Sequence, residues 1–412
     1  MIKNISIFKI TFLLISMALY QLVSAQKNSS VPTYLAHYKE LYQKNPQLAA
    51  QKWFNDARYG LFVHWGASTY YEKGEWNMFY APIPIHEYKE QAMKFKGEKF
   101  NADSLVHLAK DAQMRYITFV VQHHDGFALY DSKAWPFNSM KAASHRDFLK
   151  ELVLACQKEG IGLFIYYSLG INWTHPFYLT KAYYNEARPA YKNEQPEIRF
   201  KDKSDFLYYW NTVKAQITEL CTQYGTIAGF WFDPIGGAYT NPDLFDIQAI
   251  YDQIHSLQPQ ALISFKTGFN GNEDFISCEH EIKSLTSLMR KVQGEKTAML
   301  ADKAWQSNRS KKAEMCTTMQ NMGWGYESRA KHKTAQEVWA ILENTAANNA
   351  NLLLNIGPYP DGSIVPIDRQ VLTEIGKRIK KEGFPKLNTS TYMDYRDGGS
   401  KQITDRDLET AK

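Results

Sequence analysis

Residues 227–237 read Ile-Ala-Gly-Phe-Trp-Phe-Asp-Pro-Ile-Gly-Gly, an apolar run that ends in one carboxylate, Asp233, before Pro and Gly turn the chain. This is the pattern of a buried parallel strand that delivers an acid to its C-terminal end, where a barrel of alternating strands and helices carries its reacting groups. Other predicted strand ends supply His64-Trp65, His123-His124-Asp125, Tyr166-Tyr167, Trp231, Lys266 and Asn355, and the loops add Glu75-Trp76, Glu279, Glu281 and Glu314. Carboxylates and imidazoles beside indole rings suit a neutral polyol such as a sugar ring. The chemistry that fits best is glycoside hydrolysis, which needs two carboxyl groups flanking one bond. A separation of about 5–5.5 Å gives a covalent intermediate and retention, and a wider one leaves room for water and gives inversion. Asp233 is the expected nucleophile and a Glu on a following loop the expected acid/base.

Each residue also has a plainer reading. An Asp before Pro is a common turn former. His64 or His123 alone reads as a core histidine, and Trp65, Trp76, Trp231 and Trp324 as core aromatics. Glu279 and Glu281 lie in a polar stretch and read equally as solvated. The His123-His124 pair suggests a metal, but neighbours on a strand point to opposite faces. There is no His-x-His, so no metal or other cofactor is expected.

The elements that must position these groups alternate. Strands are predicted over 58–64, 116–122, 161–167, 227–232, 261–265 and 351–356. Helices are predicted over 102–111, 147–159, 205–224, 245–257, 335–349 and 368–380. Continuous apolar strands between helices predict a parallel sheet, and functional residues at several strand ends favour closure into a TIM-like (β/α)8 barrel. Residues 174–204 read as an insertion loop, 273–330 as irregular active-site loops, and 26–50 as a polar lead-in helix.

Hydrophobic residues make up 44% of the 412, enough for a substantial core, and aromatics make up 14%. The aromatics serve either sugar platforms or a large core. The net charge of +5 is dispersed, which excludes a nucleic-acid footprint. Residues 1–25 read as a secretory signal peptide: Lys3 and Lys9, an apolar run to Leu22, then Val23-Ser-Ala25 before Gln26. The expected product is exported, periplasmic or secreted, with no membrane span in its mature form. Cys156, Cys221, Cys278 and Cys316 are widely spaced and read as isolated core thiols. The expected organisation is a signal peptide (1–25), a catalytic barrel (26–385) and a short polar tail (386–412).

Seven segments, in order, resemble the family 29 glycoside hydrolases, the α-L-fucosidases. They are 53–66 (Trp-Phe-Asn-Asp-Ala-Arg-Tyr-Gly-Leu-Phe-Val-His-Trp-Gly), Gly74-Glu-Trp76, Gln122-His-His-Asp-Gly-Phe127, Tyr166-Tyr-Ser168, Trp231-Phe-Asp233, Trp324-Gly-Tyr326 and 351–358 (Asn-Leu-Leu-Leu-Asn-Ile-Gly-Pro). The resemblance implies a retaining exo-α-L-fucosidase acting on fucosylated glycans or glycoconjugates, on a barrel related to the (β/α)8 type. It puts the nucleophile on Asp233 and the fucose pocket on His64, Glu75, Trp76, His123, His124, Tyr166, Trp231 and Trp324. Aligning Phe275-Ile-Ser-Cys-Glu279 with the family's acid loop favours Glu279 as acid/base; Glu314, in Glu314-Met-Cys316, and Glu281 are the alternatives. Lys266 stands where some members have the Arg of an Asn-Asp-Arg triplet, and it keeps the charge without the fork. The C-terminal β-sandwich of many members is not expected. A relative that binds sugar without cleaving it, or a hydrolase of another α-glycoside of similar configuration, is the alternative reading.

Overall fold

A computed structural model describes residues 30–388, together with the backbone of 392–396 and 399–403. Residues 1–25, the expected signal peptide, lie outside the described residues, as does most of the expected tail. Eight parallel strands run β1 (Tyr59–Val63), β2 (Tyr116–Gln122), β3 (Gly162–Ser168), β4 (Gly229–Asp233), β5 (Leu262–Phe265), β6 (Ile276–Glu279), β7 (Ala313–Thr318) and β8 (Asn351–Ile356). Their order is β5-β4-β3-β2-β1-β8-β7-β6, so β1 pairs with both β2 and β8. Only the β5–β6 seam lacks a regular ladder. It is stitched instead: Ser277 donates its backbone N–H to Lys266 O at 2.8 Å, and Asp274 donates to Ile263 O at 2.7 Å. The sheet is a nearly closed barrel, as the alternating pattern predicts.

The helices that wrap it include α1 (Pro46–Ala57), α2 (Ala102–Asp111), α3 (Phe148–Glu159), α4 (Phe206–Gln223), α5 (Ile247–Leu257), α6 (Thr286–Gln293), α7 (Glu295–Asn308), α8 (Ala335–Ala347) and α9 (Pro366–Glu382). Their starts follow local chemistry. Asn45, Asn101, Asp147 and Asp246 accept backbone N–H groups at N-caps, and Thr334 with Glu337 forms a capping box. The region read as irregular, 273–330, holds two short strands and two helices. Strands of four and six residues beside polar helices give weak periodicity, which is why the pattern hid them. No helix follows β5; the chain passes to β6 through a turn closed by buried Glu273, which accepts from Phe269 N at 2.7 Å and Tyr251 Oη at 2.7 Å.

Strand alternation divides the core in two. One set of side chains packs beneath the helices. The other faces the barrel interior, with Phe62, Tyr116, Phe164, Tyr166, Trp231 and Leu353 among its members. Helix α1 plugs the N-terminal end, where Trp53 stacks on Phe164 with centroids 6.2 Å apart and Phe54 meets Phe275 at 4.4 Å. Gly60 and Gly162 admit these rings, since a Cβ at either would strike Tyr116 or Trp53. With that end closed by aromatics, the polar mouth is left to the C-terminal ends of the strands. All four cysteines are buried free thiols. Among the described residues no helix is long and apolar enough to cross a membrane.

Candidate active site

The mouth holds a cavity of about 380 Å³ whose lining includes His64, Trp76, His123, His124, Tyr166, Trp231, Asp233, Lys266, Glu279, Glu281 and Trp324. Asp233 is the last residue of β4 and faces inward, two positions after Trp231. Its Oδ2 accepts from Tyr166 Oη at 2.8 Å, and its Oδ1 lies 2.8 Å from Lys266 Nζ. Tyr166 sits beside Trp231 in the β3–β4 register, and the two rings stack at 5.5 Å.

Lys266 leaves β5 with φ of 52°, a left-handed conformation uncommon for a residue with a Cβ. Its ammonium contacts both Asp233 and Glu279 and lies 5.0 Å over the Trp231 ring. Burial alone would lower its pKa; the two carboxylates more than offset that and hold it above the ordinary lysine range. Because one oxygen of each carboxylate touches the same nitrogen, those oxygens are separated by less than twice the 2.8 Å contact. Glu279 ends β6 and its side chain is 44% exposed, so it has room to move within the mouth.

The three histidines are neutral at neutral pH. Burial lowers the pKa of His64 and His124 to about 3; His123 is also pushed well down, by burial and by its two histidine neighbours. Hydrogen-bond bookkeeping assigns two tautomers. Ser168 spends its hydroxyl proton on Ile171 O at 2.6 Å, so His124 Nδ1, 2.7 Å away, is the donor to Ser168 Oγ. Asn355 donates its amide to Trp324 O at 2.7 Å, which turns its Oδ1 toward His64 Nδ1 at 2.7 Å. Both rings therefore keep Nε2 as a free acceptor, and His124 Nε2 lies 3.7 Å from Asp233 Oδ2. β2 ends at Gln122, so strand alternation no longer applies and His123 and His124 line the same cavity with centroids 4.0 Å apart.

Two predicted site residues, Glu75 and Glu314, lie outside the lining. Glu75 is buried behind the lining, where its Oε2 accepts from Trp324 N at 2.8 Å and Gly325 N at 2.6 Å; it fixes the loop that carries Trp324. Burial raises its pKa, and those backbone donors oppose the rise. Glu314 lies one layer beneath the cavity. It pairs in register with Ser277, whose hydroxyl it accepts at 2.9 Å, whereas Glu279 stands one pleat higher. Its other donors are Tyr116 Oη at 2.5 Å and Trp231 Nε1 at 3.0 Å. Burial raises its pKa to about 7 against these hydrogen bonds. Glu281 lines the outer mouth and pairs with Lys283 at 2.8 Å.

The structure adds residues that the strand-end reasoning passed over. Ser168, which stood in a motif segment, orients His124, whereas Asn355, already collected as a strand end, orients His64. His280 stacks on Trp324 at 5.2 Å. Tyr184, Glu186 and the α6 side chains Leu288, Met289 and Val292 line the outer wall. The α6 spacing is visible in the sequence but is short and flanked by charges.

The arrangement pairs two carboxylates with a neutral, aromatic-walled polar pocket. The family model described as Alpha-L-fucosidase matches residues 23–384. The tissue alpha-L-fucosidase of Bos taurus is 27% identical over 356 residues, covering 80% of this chain and 67% of that protein. Among solved structures, the alpha-L-fucosidase isoenzyme 1 from Paenibacillus thiaminolyticus superposes with a TM-score of 0.66 at 26% identity, covering 87% of this chain and 82% of that one. The alpha-L-fucosidase AlfC from Lactobacillus casei, in complex with alpha-L-fucose product, gives 0.63 at 27% identity, covering 81% and 98%.

Proposed function

From the premise that this chain belongs to the alpha-L-fucosidase family and is a glycoside hydrolase, we propose that it is a retaining exo-α-L-fucosidase with Asp233 as nucleophile and Glu279 as acid/base. The observation that carries this reading is the shared Lys266 ammonium. It holds one oxygen of each carboxylate closer together than twice the 2.8 Å contact, which supports the about 5–5.5 Å arrangement of retaining enzymes over the about 6.5–9.5 Å of inverting ones.

In the first step an Asp233 oxygen attacks the anomeric carbon. The bond to the leaving group breaks, and Glu279, in its acid form, gives its proton to the departing oxygen. In the second step Glu279, now a carboxylate, takes a proton from water. The water oxygen bonds to the anomeric carbon and Asp233 departs as a carboxylate. Tyr166 and Lys266 stabilise that carboxylate each time it carries charge. Lys266 also contacts Glu279, so Glu279 must turn from the ammonium to the glycosidic oxygen to act as the acid.

Fucose presents three hydroxyls and a methyl group. His64 and His124, with Nε2 as acceptors, suit the hydroxyls, and Trp76, Trp231 and Trp324 supply apolar wall. Release of fucose from an aryl α-L-fucoside with retention at the anomeric centre, followed by NMR, tests the reading; inversion of the first-formed sugar would overturn it. Export remains an inference from residues 1–25, and N-terminal sequencing of the mature protein starting at Gln26 tests it.

A further inference from the structure

The cavity wall on the Glu279 side is built differently from the wall that faces the sugar. Just beyond Glu279, Leu285 and helix α6 line the cavity with Leu285, Leu288, Met289 and Val292. Positions i, i+3, i+4 and i+7 form one stripe of the helix. Met289 is anchored in the core, yet Leu288 is 50% exposed and Val292 40%. Single exposed leucines need no explanation, but an apolar stripe opening into a ligand cavity marks a binding surface. The helix is tied in place: Asn185 Nδ2 donates to Val292 O at 3.3 Å, joining α6 to the 174–204 insertion. Elsewhere the lining carries the polar groups His64, His124, Tyr166 and Asp233, and Gln293 and the Glu281–Lys283 pair edge the stripe, whereas these four side chains offer neither a hydrogen bond nor a flat ring.

We propose that this stripe is the leaving-group subsite and that it selects fucosides with an apolar aglycone, an alkyl or aryl group. The inference rests on the fucosidase reading, because Glu279 must protonate the oxygen that joins fucose to the leaving group, and that group then lies on the Glu279 side. Each methylene removed from water against the stripe favours binding by about fourfold when fully covered. Two or three covered methylenes therefore give about tenfold or more.

The test compares methyl and octyl α-L-fucosides, kept below micelle-forming concentrations, as substrates of the whole enzyme. Their leaving groups differ little in acidity, so apolar contact dominates the ratio. The expected octyl-to-methyl ratio of kcat/KM is about 10 or more, mostly through KM, falling to within about twofold of unity in Leu288→Asn/Val292→Asn. The single Leu288→Ser substitution, at an exposed position, gives an intermediate ratio. Equal constants in the wild type, or a ratio that survives the double substitution, overturns the subsite while leaving fucosidase activity intact. If neither glycoside is turned over, the same ratio is read as Kd on Asp233→Asn by calorimetry. Absence of both turnover and binding overturns the fucosidase reading and the subsite with it.

Discussion

From β1 to β4 the barrel holds its polar groups rigidly. His64, His123, His124 and Tyr166 are buried, and the orientations of His64 and His124 are set by Asn355 and Ser168. Around β5 and β6 the barrel is irregular: no helix follows β5, Lys266 takes a left-handed conformation, and Glu279 is partly exposed. A group that recognises a fixed set of hydroxyls gains from being pre-oriented. A group that must give and retake a proton, and release a salt bridge to do so, gains from room to move. Asp233, at the end of β4, stands at the boundary and is touched from both halves by Tyr166 and Lys266.

The sharpest test of that boundary is the nucleophile. Asp233→Ala is expected to lower kcat by about three orders of magnitude or more, measured with an aryl fucoside, and added azide restores turnover by attacking from the vacated side. The more exposed side is tested by Glu279→Ala. It should cost about 10²–10⁴-fold on alkyl or glycosyl leaving groups and far less on 4-nitrophenyl fucoside, whose leaving group needs no proton. If Glu314→Gln shows that leaving-group dependence and Glu279→Ala does not, the acid belongs to the layer below and the proposed division fails. Lys266→Met is expected to lower kcat/KM by about 10²-fold, with Lys266→Arg losing less because the charge is kept. Equal losses for the two would mean that the shape of Lys266, rather than its charge, is what the site uses.

The remaining effects concern stability rather than rate, and here two buried groups have opposite signs. His64 is lowered from 6.5 to about 3, so between those values the unfolded chain binds a proton that the folded chain does not; stability rises with pH across that window. Glu314 is raised from 4.5 to about 7, so the folded chain binds the extra proton and stability falls as pH rises from 4.5 to 7. Glu314→Gln lacks that fall. Relative to wild type it should gain up to about 3 kcal/mol between pH 4.5 and 7, read from urea midpoints at the two pH values. A pH-independent difference would mean that Glu314 stays charged in the folded protein.

Much of this was legible in residue order. Six of the eight strands, the alternation that closes a barrel, and the placement of Asp233 at a strand end follow from continuous apolar runs and caps, which are local signals. The strands at 276–279 and 313–318 were not legible, because each is short and lies among polar residues, and their pairing partners are distant in the chain. The role of Glu75 was hidden for the same reason: its hydrogen-bond partners, Trp324 and Gly325, are far along the sequence.

The sequence by itself determined that an acid, Asp233, closes a buried strand, and that imidazoles and indoles end neighbouring strands, because strand patterning is written in residues a few positions apart. Only the tertiary structure decided how Glu279, Glu281 and Glu314 stand to that acid. Barrel closure and the pleat set one carboxylate at the mouth beside Lys266, one on the outer rim and one a layer beneath the floor, and no local pattern carries a distance across the barrel.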